Sequence, residues 1–218
     1  MRACAGRSRS FLTGSWFVVL VLACRTTGPA EDLVEVTSAV PGVVVDLKYA
    51  TQDNFTGRVL YDTSCCFLRR GTAEKLRRVQ LRLEKRGYRL KIWDGYRPLF
   101  VQKRMWELVP DPRFVADPRV GSRHNRGAAV DVTLVDSSGR ELEMPTGFDD
   151  FSERARRDYD GCSPEAKRNR QILEDAMRAE GFVPLPSEWW HFDDADWRKY
   201  KVVDIPIREL VQRSKRQE

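Results

Sequence analysis

Apolar residues recur at helical spacing in two long stretches of the chain. The first stretch begins at Thr72, a residue type common at helix N-caps, and ends at Gly87. Its apolar positions are Ala73, Leu76, Val79 and Leu83. The second stretch begins at Ser163-Pro164-Glu165, which has the composition of a helix start, and ends at Gly181. Its apolar positions are Ile172, Leu173, Ala176 and Met177. The spacing predicts two amphipathic helices whose apolar faces pack on a core.

Shorter apolar and β-branched runs predict strands between these helices. The strands are expected over residues 43–47, 90–93 and 128–135. A third helix is expected over residues 98–108. Its expected buried side chains are Phe100, Met105 and Trp106. The polar segment 136–160 suits an excursion over a site, and the tail from Arg208 onwards is expected to fray.

The first 30 residues have the pattern of a targeting segment. Three arginines precede a largely apolar run from Phe11 to Ala23, which is shorter than the roughly 20 residues that span a membrane. The run ends at Val21-Leu22-Ala23-Cys24, which is similar to a bacterial lipoprotein cleavage site with Cys24 as the lipid acceptor. Because leucine at position 22 is unusual in such a site, an ordinary secretory signal cut near Ala23 or Ala30 is an equal alternative.

Both alternatives predict a mature chain outside the cytoplasm, in a bacterial periplasm, with or without a membrane anchor at Cys24. We therefore separate a targeting segment at residues 1–30 from one folded domain at residues 31–218. A hydrophobic content of 41% and an aromatic content of 10% fit such a domain.

The net charge of +6 suits anionic surroundings such as lipid headgroups or wall polymers. No basic run is interleaved with aromatic residues, so we expect no nucleic-acid partner. Nothing in the sequence indicates an oligomeric state.

Three cysteines lie beyond the targeting segment, at positions 65, 66 and 162. An oxidising compartment is compatible with one bridge, from Cys65 or Cys66 to Cys162, which would leave one thiol unpaired. No two cysteines have the spacing of a zinc-binding pair, so a cysteine-based zinc site is not expected.

The two histidines of the chain each lie in a segment that also holds a carboxylate. Asp131 follows His124 by seven residues, and Glu188 precedes His191 by three. Two imidazoles and one carboxylate can hold Zn²⁺ with one coordination position open, and a second carboxylate can act as a general base. A single histidine is more often structural, but here neither histidine is left over. We therefore predict a zinc-dependent peptidase.

The spacings also predict where the chain must bend. His124 and Asp131 would face opposite sides of one flat strand, so they converge only if the chain turns at residues 125–127, where Gly127 permits it. Glu188 and His191 cannot share one face of a strand either. We expect Glu188 in the loop that enters the strand and His191 within that strand.

An arginine follows the predicted strand at residues 90–93, in the sequence Asp94-Gly95-Tyr96-Arg97-Pro98. Its guanidinium could stabilise an oxyanion. It could equally form a structural ion pair with Asp94. The sequence alone leaves both alternatives open.

Four separated motifs resemble those of the VanX-type D-alanyl-D-alanine dipeptidases. They are K-Y-A-T-x-D-N-F-T-G at 48–57, W-D-G-Y-R-P at 93–98, S-x-H-x-x-G-x-A-x-D at 122–131 and E-W-W-H at 188–191. The resemblance extends over residues 33–205. It implies an α+β fold, a compact single domain with a central antiparallel sheet flanked by helices.

The same resemblance implies a role for each matching residue. One zinc ion per chain would be held by His124, Asp131 and His191, and the substrate would be the small dipeptide D-alanyl-D-alanine. Glu188 would act as general base and acid, and Arg97 would stabilise the tetrahedral intermediate.

Ser122 falls where the family contacts the substrate carboxylate, and Asp149 falls where it holds the substrate ammonium. One departure is Arg123, because some relatives carry a small residue there, and a bulky cation could alter the pocket for the substrate's carboxyl end. Separately, Tyr49 and residues 54–57 could line a pocket, although an ordinary loop is the default interpretation of this segment.

Two other functions are compatible with these residues. A zinc D,D-carboxypeptidase or endopeptidase would use the same chemistry on longer wall peptides and would need an open cleft. A non-catalytic zinc-binding wall module would need neither Glu188 nor Arg97, and the presence of both residues argues against it.

Overall fold

The computed structural model describes residues 32–216. The predicted targeting segment at residues 1–30, with Cys24, lies outside the described residues. Within them, the strands are β1 (Leu33–Glu35), β2 (Val44–Val45), β3 (Phe67–Arg69), β4 (Tyr88–Asp94), β5 (Ala129–Asp136), β6 (Phe182–Pro184) and β7 (His191–Asp194). The α-helices are α1 (Val36–Ala39), α2 (Arg70–Glu84), α3 (Leu99–Leu108), α4 (Pro164–Ala179) and α5 (Ile207–Ser214).

A five-stranded sheet forms the centre of the domain. Its strand order is β2-β4-β5-β7-β6, and a separate two-stranded sheet pairs β1 with β3. All neighbours in the central sheet are antiparallel except β2 and β4, which are parallel. The expected α+β fold is confirmed, with one short parallel strand at the edge of the antiparallel sheet.

Helix α4 follows its sequence signals closely. The hydroxyl of Ser163 accepts a hydrogen bond from the backbone N–H of Ala166, and Pro164 occupies the first turn. Gly181 follows the helix at a positive φ of 84°. Leu173, Ala176 and Met177 are buried, and Ile172 is half-buried. The capping residues therefore account for where this helix begins and ends.

Helix α2 begins at Arg70, so the expected N-cap at Thr72 is wrong. Thr72 is fully buried, and its hydroxyl donates a hydrogen bond of 2.7 Å to Oδ2 of Asp194 in β7. The same carboxylate pairs with Lys75 one turn later. A tertiary hydrogen bond thus takes the hydroxyl that a cap would have used.

Helix α3 begins one residue later than expected. Of its three expected core residues only Met105 is buried, whereas Phe100 and Trp106 are half-buried. The expectation of a frayed tail is wrong over most of its length, because α5 is a regular helix with Ile207 and Leu210 buried.

The expected disulfide is absent from the described residues, in which Cys65, Cys66 and Cys162 are all free. Cys66 is buried beside the backbone of Gly95 in the core. Cys162 lies just before α4, with its sulfur 4.0 Å from the carbonyl of Tyr159.

Three buried tryptophans pack against one another at the central sheet. Trp189 and Trp190 are buried, with ring centroids 5.6 Å apart, and Trp93 of β4 packs against Trp189 at the same distance. Phe192, in β7, is fully buried as well. These ring contacts join β4 to the segment that enters β7. No helix within residues 32–216 is long and apolar enough to span a membrane.

Candidate metal centre and active site

Three ligand-type side chains converge where β5 meets β7. Asp131 and His191 are register partners on these antiparallel strands, and His124 comes from a single 3₁₀ turn, His124–Arg126. His191 Nδ1 lies 2.8 Å from Asp131 Oδ1, and His124 Nε2 lies 3.4 Å from Asp131 Oδ2. All three side chains are buried. The bend expected at residues 125–127 is confirmed.

Glycine is required at the end of that turn. Gly127 has a φ of +68°, and a Cβ there would lie 2.7 Å from Leu33 Cδ2 and 3.2 Å from the Arg69 backbone nitrogen. Any side chain would therefore combine an unfavourable backbone conformation with a clash against β1 and β3. The two-stranded sheet and the turn together fix the position of His124.

The second nitrogen of each histidine ring has a partner away from the cluster. His124 Nδ1 lies 2.8 Å from the carbonyl oxygen of Gly95, and His191 Nε2 lies 3.0 Å from Oδ1 of Asp193. A ring N–H donated to each acceptor leaves a lone pair on the nitrogen that faces Asp131. Such outer hydrogen bonds are typical of metal-binding histidines.

This donor set fits a divalent metal ion. One atom from each of His124, Asp131 and His191 lies within 4.8 Å of the others. Imidazole and carboxylate ligands in this number suit zinc and related transition metals. Burial alone would raise the pKa of Asp131, but the two imidazoles hold it well below its usual range. The carboxylate is therefore in its ligating, ionised form.

Glu188 lies in the loop before β7, as expected, and His191 lies in the strand. The Glu188 carboxylate is 3.9 Å from His191 Nδ1. Burial raises the pKa of Glu188, and the neighbouring imidazoles oppose that rise. A buried carboxyl beside a candidate metal site, with a pKa above its usual range, suits a proton acceptor.

Arg97 forms the ion pair with Asp94 and also faces the cavity, so its position fits both roles that the sequence left open. Its Nε and Nη2 lie 3.1 Å and 2.6 Å from Asp94 Oδ2, and its Nη1 lies 2.9 Å from Gln102 Oε1. The guanidinium also lines the active-site cavity and sits over the ring of Tyr49. Burial opposes the cation, but Asp94 keeps the pKa of Arg97 above its usual range. The ion pair thus fixes a permanent cation at the wall of the cavity.

Ser122 and Asp149 stand at separate positions around the same cavity. The backbone N–H of Ser122 donates to Asn125 Oδ1 at 2.7 Å, and the Asn125 amide donates to the carbonyl of Arg97 at 2.8 Å. This network ties the serine to the arginine turn. Asn125 was not anticipated from the sequence, although it lies within the histidine motif.

Asp149 is held in an unusual conformation. It has a φ of +55°, and the hydroxyl of Tyr49 lies 3.2 Å and 3.1 Å from its two carboxylate oxygens. Burial, with the negative charge of Asp131 added to it, raises the pKa of Asp149 to about 8. A cation placed beside this carboxyl would stabilise the ionised form. The strained backbone and the buried acid both indicate a binding position.

The cavity between these side chains has a volume of about 240 Å³. All seven residues expected at the site line it: Arg97, Ser122, His124, Asp131, Asp149, Glu188 and His191. Tyr49 and Phe55 line it too, as the first motif indicated, whereas Asn54 makes only hydrogen bonds within its own loop and to Lys48. Pockets for drug-sized ligands have volumes of about 300 to 1,000 Å³, so this cavity suits a smaller ligand.

Sequence reasoning missed two groups of residues at this site. Asp193 could have been found, because it lies two residues after His191 and therefore on the same face of β7. Phe114 and Phe151 come from loops that carry no periodic pattern, so nothing in the sequence indicated that they line the cavity.

Arg123 also lines the cavity, with its side chain about half exposed. Its Nε lies 3.5 Å from Asp193 Oδ2, and its guanidinium packs over the ring of Trp197. The cation is therefore held at the rim beside the outer partner of His191. That Arg123 alters the pocket for the substrate's carboxyl end stays a prediction.

The buried histidine–aspartate cluster, with Glu188 and Arg97 at the same cavity, has the groups that a metallopeptidase requires. The chain belongs to the peptidase M15 family, described as D-ala-D-ala dipeptidase, whose family model matches residues 29–209. The resemblance that the four motifs indicated is therefore confirmed.

Individual relatives agree with this family. The chain is 40% identical to the D-alanyl-D-alanine dipeptidase of Escherichia coli over 74% of this chain and 84% of the relative. It is 31% identical to the D-alanyl-D-alanine dipeptidase of Enterococcus faecalis over 76% of this chain and 88% of the relative. Among solved structures, one of the LdcB LD-carboxypeptidase covers 75% of this chain and 68% of its own, with a TM-score of 0.44 and 22% identity.

Proposed function

We propose that this chain hydrolyses D-alanyl-D-alanine to two molecules of D-alanine, with one zinc ion held by His124, Asp131 and His191. The observation that carries the proposal is the convergence of these ligands, Glu188 and Arg97 on one small cavity. The names of the relatives support the same substrate.

When bound, zinc supplies a Lewis acid that polarises a carbonyl oxygen and lowers the pKa of water. Glu188 performs the proton transfers: it takes a proton from the attacking water and delivers it to the leaving amine. Its place 3.9 Å from His191 Nδ1 puts the carboxylate beside the metal cluster. Because burial raises the pKa of Glu188, the carboxyl is suited both to accept and to release a proton.

Arg97 stabilises the negative charge that develops on the substrate's carbonyl oxygen. Asp94 and Gln102 hold all three of its guanidinium nitrogens, so the cation is oriented before substrate enters. Preorganised charge of this kind needs no rearrangement during the reaction.

The two ends of the dipeptide are recognised by different side chains. Asp149 holds the ammonium group, and the buried site strengthens that ion pair. Ser122 contacts the carboxylate, and Arg123 supplies positive charge at the same rim. The small volume of the cavity favours a free dipeptide over a longer wall peptide.

A substrate panel tests the proposed function. Purified residues 31–218, loaded with zinc, should release D-alanine from D-alanyl-D-alanine and leave L-alanyl-L-alanine intact. A wall pentapeptide ending in D-alanyl-D-alanine should also remain intact. Cleavage of the pentapeptide alone would instead support a carboxypeptidase.

We also propose that the enzyme acts outside the cytoplasm and that Cys24 carries a lipid. The basic start and apolar run of the first 30 residues support this location. Cell fractionation of the full chain tests it, with Cys24→Ser as the comparison. The lipid proposal predicts that this substitution releases the protein from the membrane fraction, and an unchanged distribution would contradict it.

A further inference from the structure

A second cavity adjoins the active site. It has a volume of about 390 Å³ and shares five lining residues with the active-site cavity. The shared residues are Arg113, Phe114, Phe151, Ser187 and Glu188. The two spaces therefore lie on opposite sides of a thin partition that includes the residue proposed as the general base.

Two stacked aromatic rings form the body of that partition. Phe114 and Phe151 have ring centroids 4.6 Å apart and planes inclined by 27°. Phe114 is braced by the guanidinium of Arg113, 5.2 Å from its ring centroid. Phe151 is braced by the ring of Phe55, at 5.3 Å. The stack joins two loops that are far apart in sequence, so it closes a gap that neither loop would close alone.

The partition stands at the Asp149 end of the active site. Phe151 follows Asp149 by two residues, and the backbone N–H of Phe55 donates a hydrogen bond to the Asp149 carboxylate. Ser122 and Arg123, which we propose face the substrate carboxylate, do not line the second cavity. A substrate held by its ammonium at Asp149 therefore points that end towards the aromatic stack.

The second cavity has the chemistry to receive a polar peptide segment. Asp150 and Glu153 contribute carboxylates to its lining, and Arg156 contributes a guanidinium. A peptide with one more residue on its amino side would extend past Asp149, next to which the stack and the second cavity lie.

We propose that the Phe114–Phe151 stack sets the substrate length, by closing the amino-side end of the active site so that only a dipeptide fits. This inference rests on the proposed dipeptidase function and adds the residues that decide between a dipeptide and a longer D,D-peptide. Opening the stack joins the two cavities and admits a substrate extended at its amino end.

The test compares kcat/KM for D-alanyl-D-alanine and for the tripeptide L-lysyl-D-alanyl-D-alanine. The variants are Phe114→Ala, Phe151→Ala and the double substitution in the zinc-loaded chain. We expect the ratio of tripeptide to dipeptide activity to rise about tenfold or more over that of the unsubstituted chain. Phe100→Ala is the matched control, because Phe100 is a half-buried phenylalanine that lines neither cavity, and its ratio should not change.

The outcomes separate the two proposals. If the unsubstituted chain cleaves neither peptide, the dipeptidase function fails. If it cleaves the dipeptide and the ratio stays constant in folded variants, or if it already cleaves both peptides equally, the length-setting role of the stack is wrong.

Phe114→Leu and Phe151→Leu provide smaller truncations should the alanine variants not fold, and a smaller rise in the same ratio is expected from them. A purely structural role would lower activity on both peptides by the same factor and would leave the ratio unchanged.

Discussion

At the scale of single residues, each histidine of the metal centre is oriented by a partner outside it. Gly95 holds one ring through its carbonyl oxygen, and Asp193 holds the other through its carboxylate. Asp193 also forms an ion pair with Arg123, so a hydrogen bond and an ion pair connect the metal centre to the rim of the pocket. Removing an outer partner should therefore weaken metal binding even though no ligand is lost.

Asp193→Ala should lower the affinity for zinc about 10- to 100-fold, because the His191 ring loses the acceptor that fixes its orientation. Competition against a chromophoric chelator measures that affinity. Asp158→Ala is the control, since Asp158 is an exposed acid that does not line the active-site cavity and contacts neither histidine. Equal zinc affinity in the two variants would contradict the role given to Asp193.

Glu188→Gln separates metal binding from proton transfer. The variant should keep a stoichiometric zinc ion and lose about 10²- to 10⁴-fold in kcat, because the amide cannot accept the proton from water. Elemental analysis and steady-state kinetics on the same sample measure the two quantities. A wild-type kcat in this variant would show that another group acts as the base.

The histidine and carboxylate residues of the site could be predicted because their types and spacings restrict the chemistry. Tyr49 could also be predicted to line the site, because it lies in a motif that resembles the family. Phe114 was not, because a lone aromatic residue in an irregular loop has no pattern that distinguishes a pocket wall from ordinary packing.

At the scale of secondary-structure elements, the 3₁₀ turn before β5 decides whether the site forms. On a flat strand His124 and Asp131 would face opposite sides. The turn places both side chains at the same cavity. Gly127 ends the turn where β1 and β3 leave no room for a Cβ.

Gly127→Ala should destabilise the fold by about 1–3 kcal/mol from the backbone conformation alone, with a further cost from the clash with Leu33. The displaced turn should also weaken zinc binding. Thermal denaturation and a zinc titration measure the two effects.

Gly87→Ala is the matched control, because Gly87 has a φ of +80° and open space where the Cβ would lie. It should show the conformational cost without the loss of zinc affinity. A Gly127→Ala variant no less stable than the control would contradict the tight packing of the turn.

The bounds of a helix were predicted best where capping residues lie next to it in the sequence. Helix α4 carries its own cap in Ser163 and Pro164, and its bounds follow from them. Helix α2 starts earlier than its pattern suggested because Thr72 bonds to Asp194, a residue 122 positions away. Contacts of that range leave no trace in a short sequence window.

At the scale of the whole molecule, the central sheet gathers groups that are distant in sequence. Strand β4 leads into Arg97, β5 carries Asp131 and β7 carries His191, and all three are neighbours in the strand order. The motifs resembling a known family made this arrangement predictable in outline. The loops that contain Phe114 and Phe151 line the cavity but match none of those motifs, so their position could not be predicted.

The central claim is that this cavity performs zinc-dependent hydrolysis of a D,D-dipeptide. The most direct measurement is the rate of D-alanine release from D-alanyl-D-alanine by residues 31–218, before chelator treatment, after it, and after zinc is restored. We expect the rate to fall to background when the metal is removed and to return with one equivalent of zinc per chain. A rate that survives complete removal of metal would contradict the account.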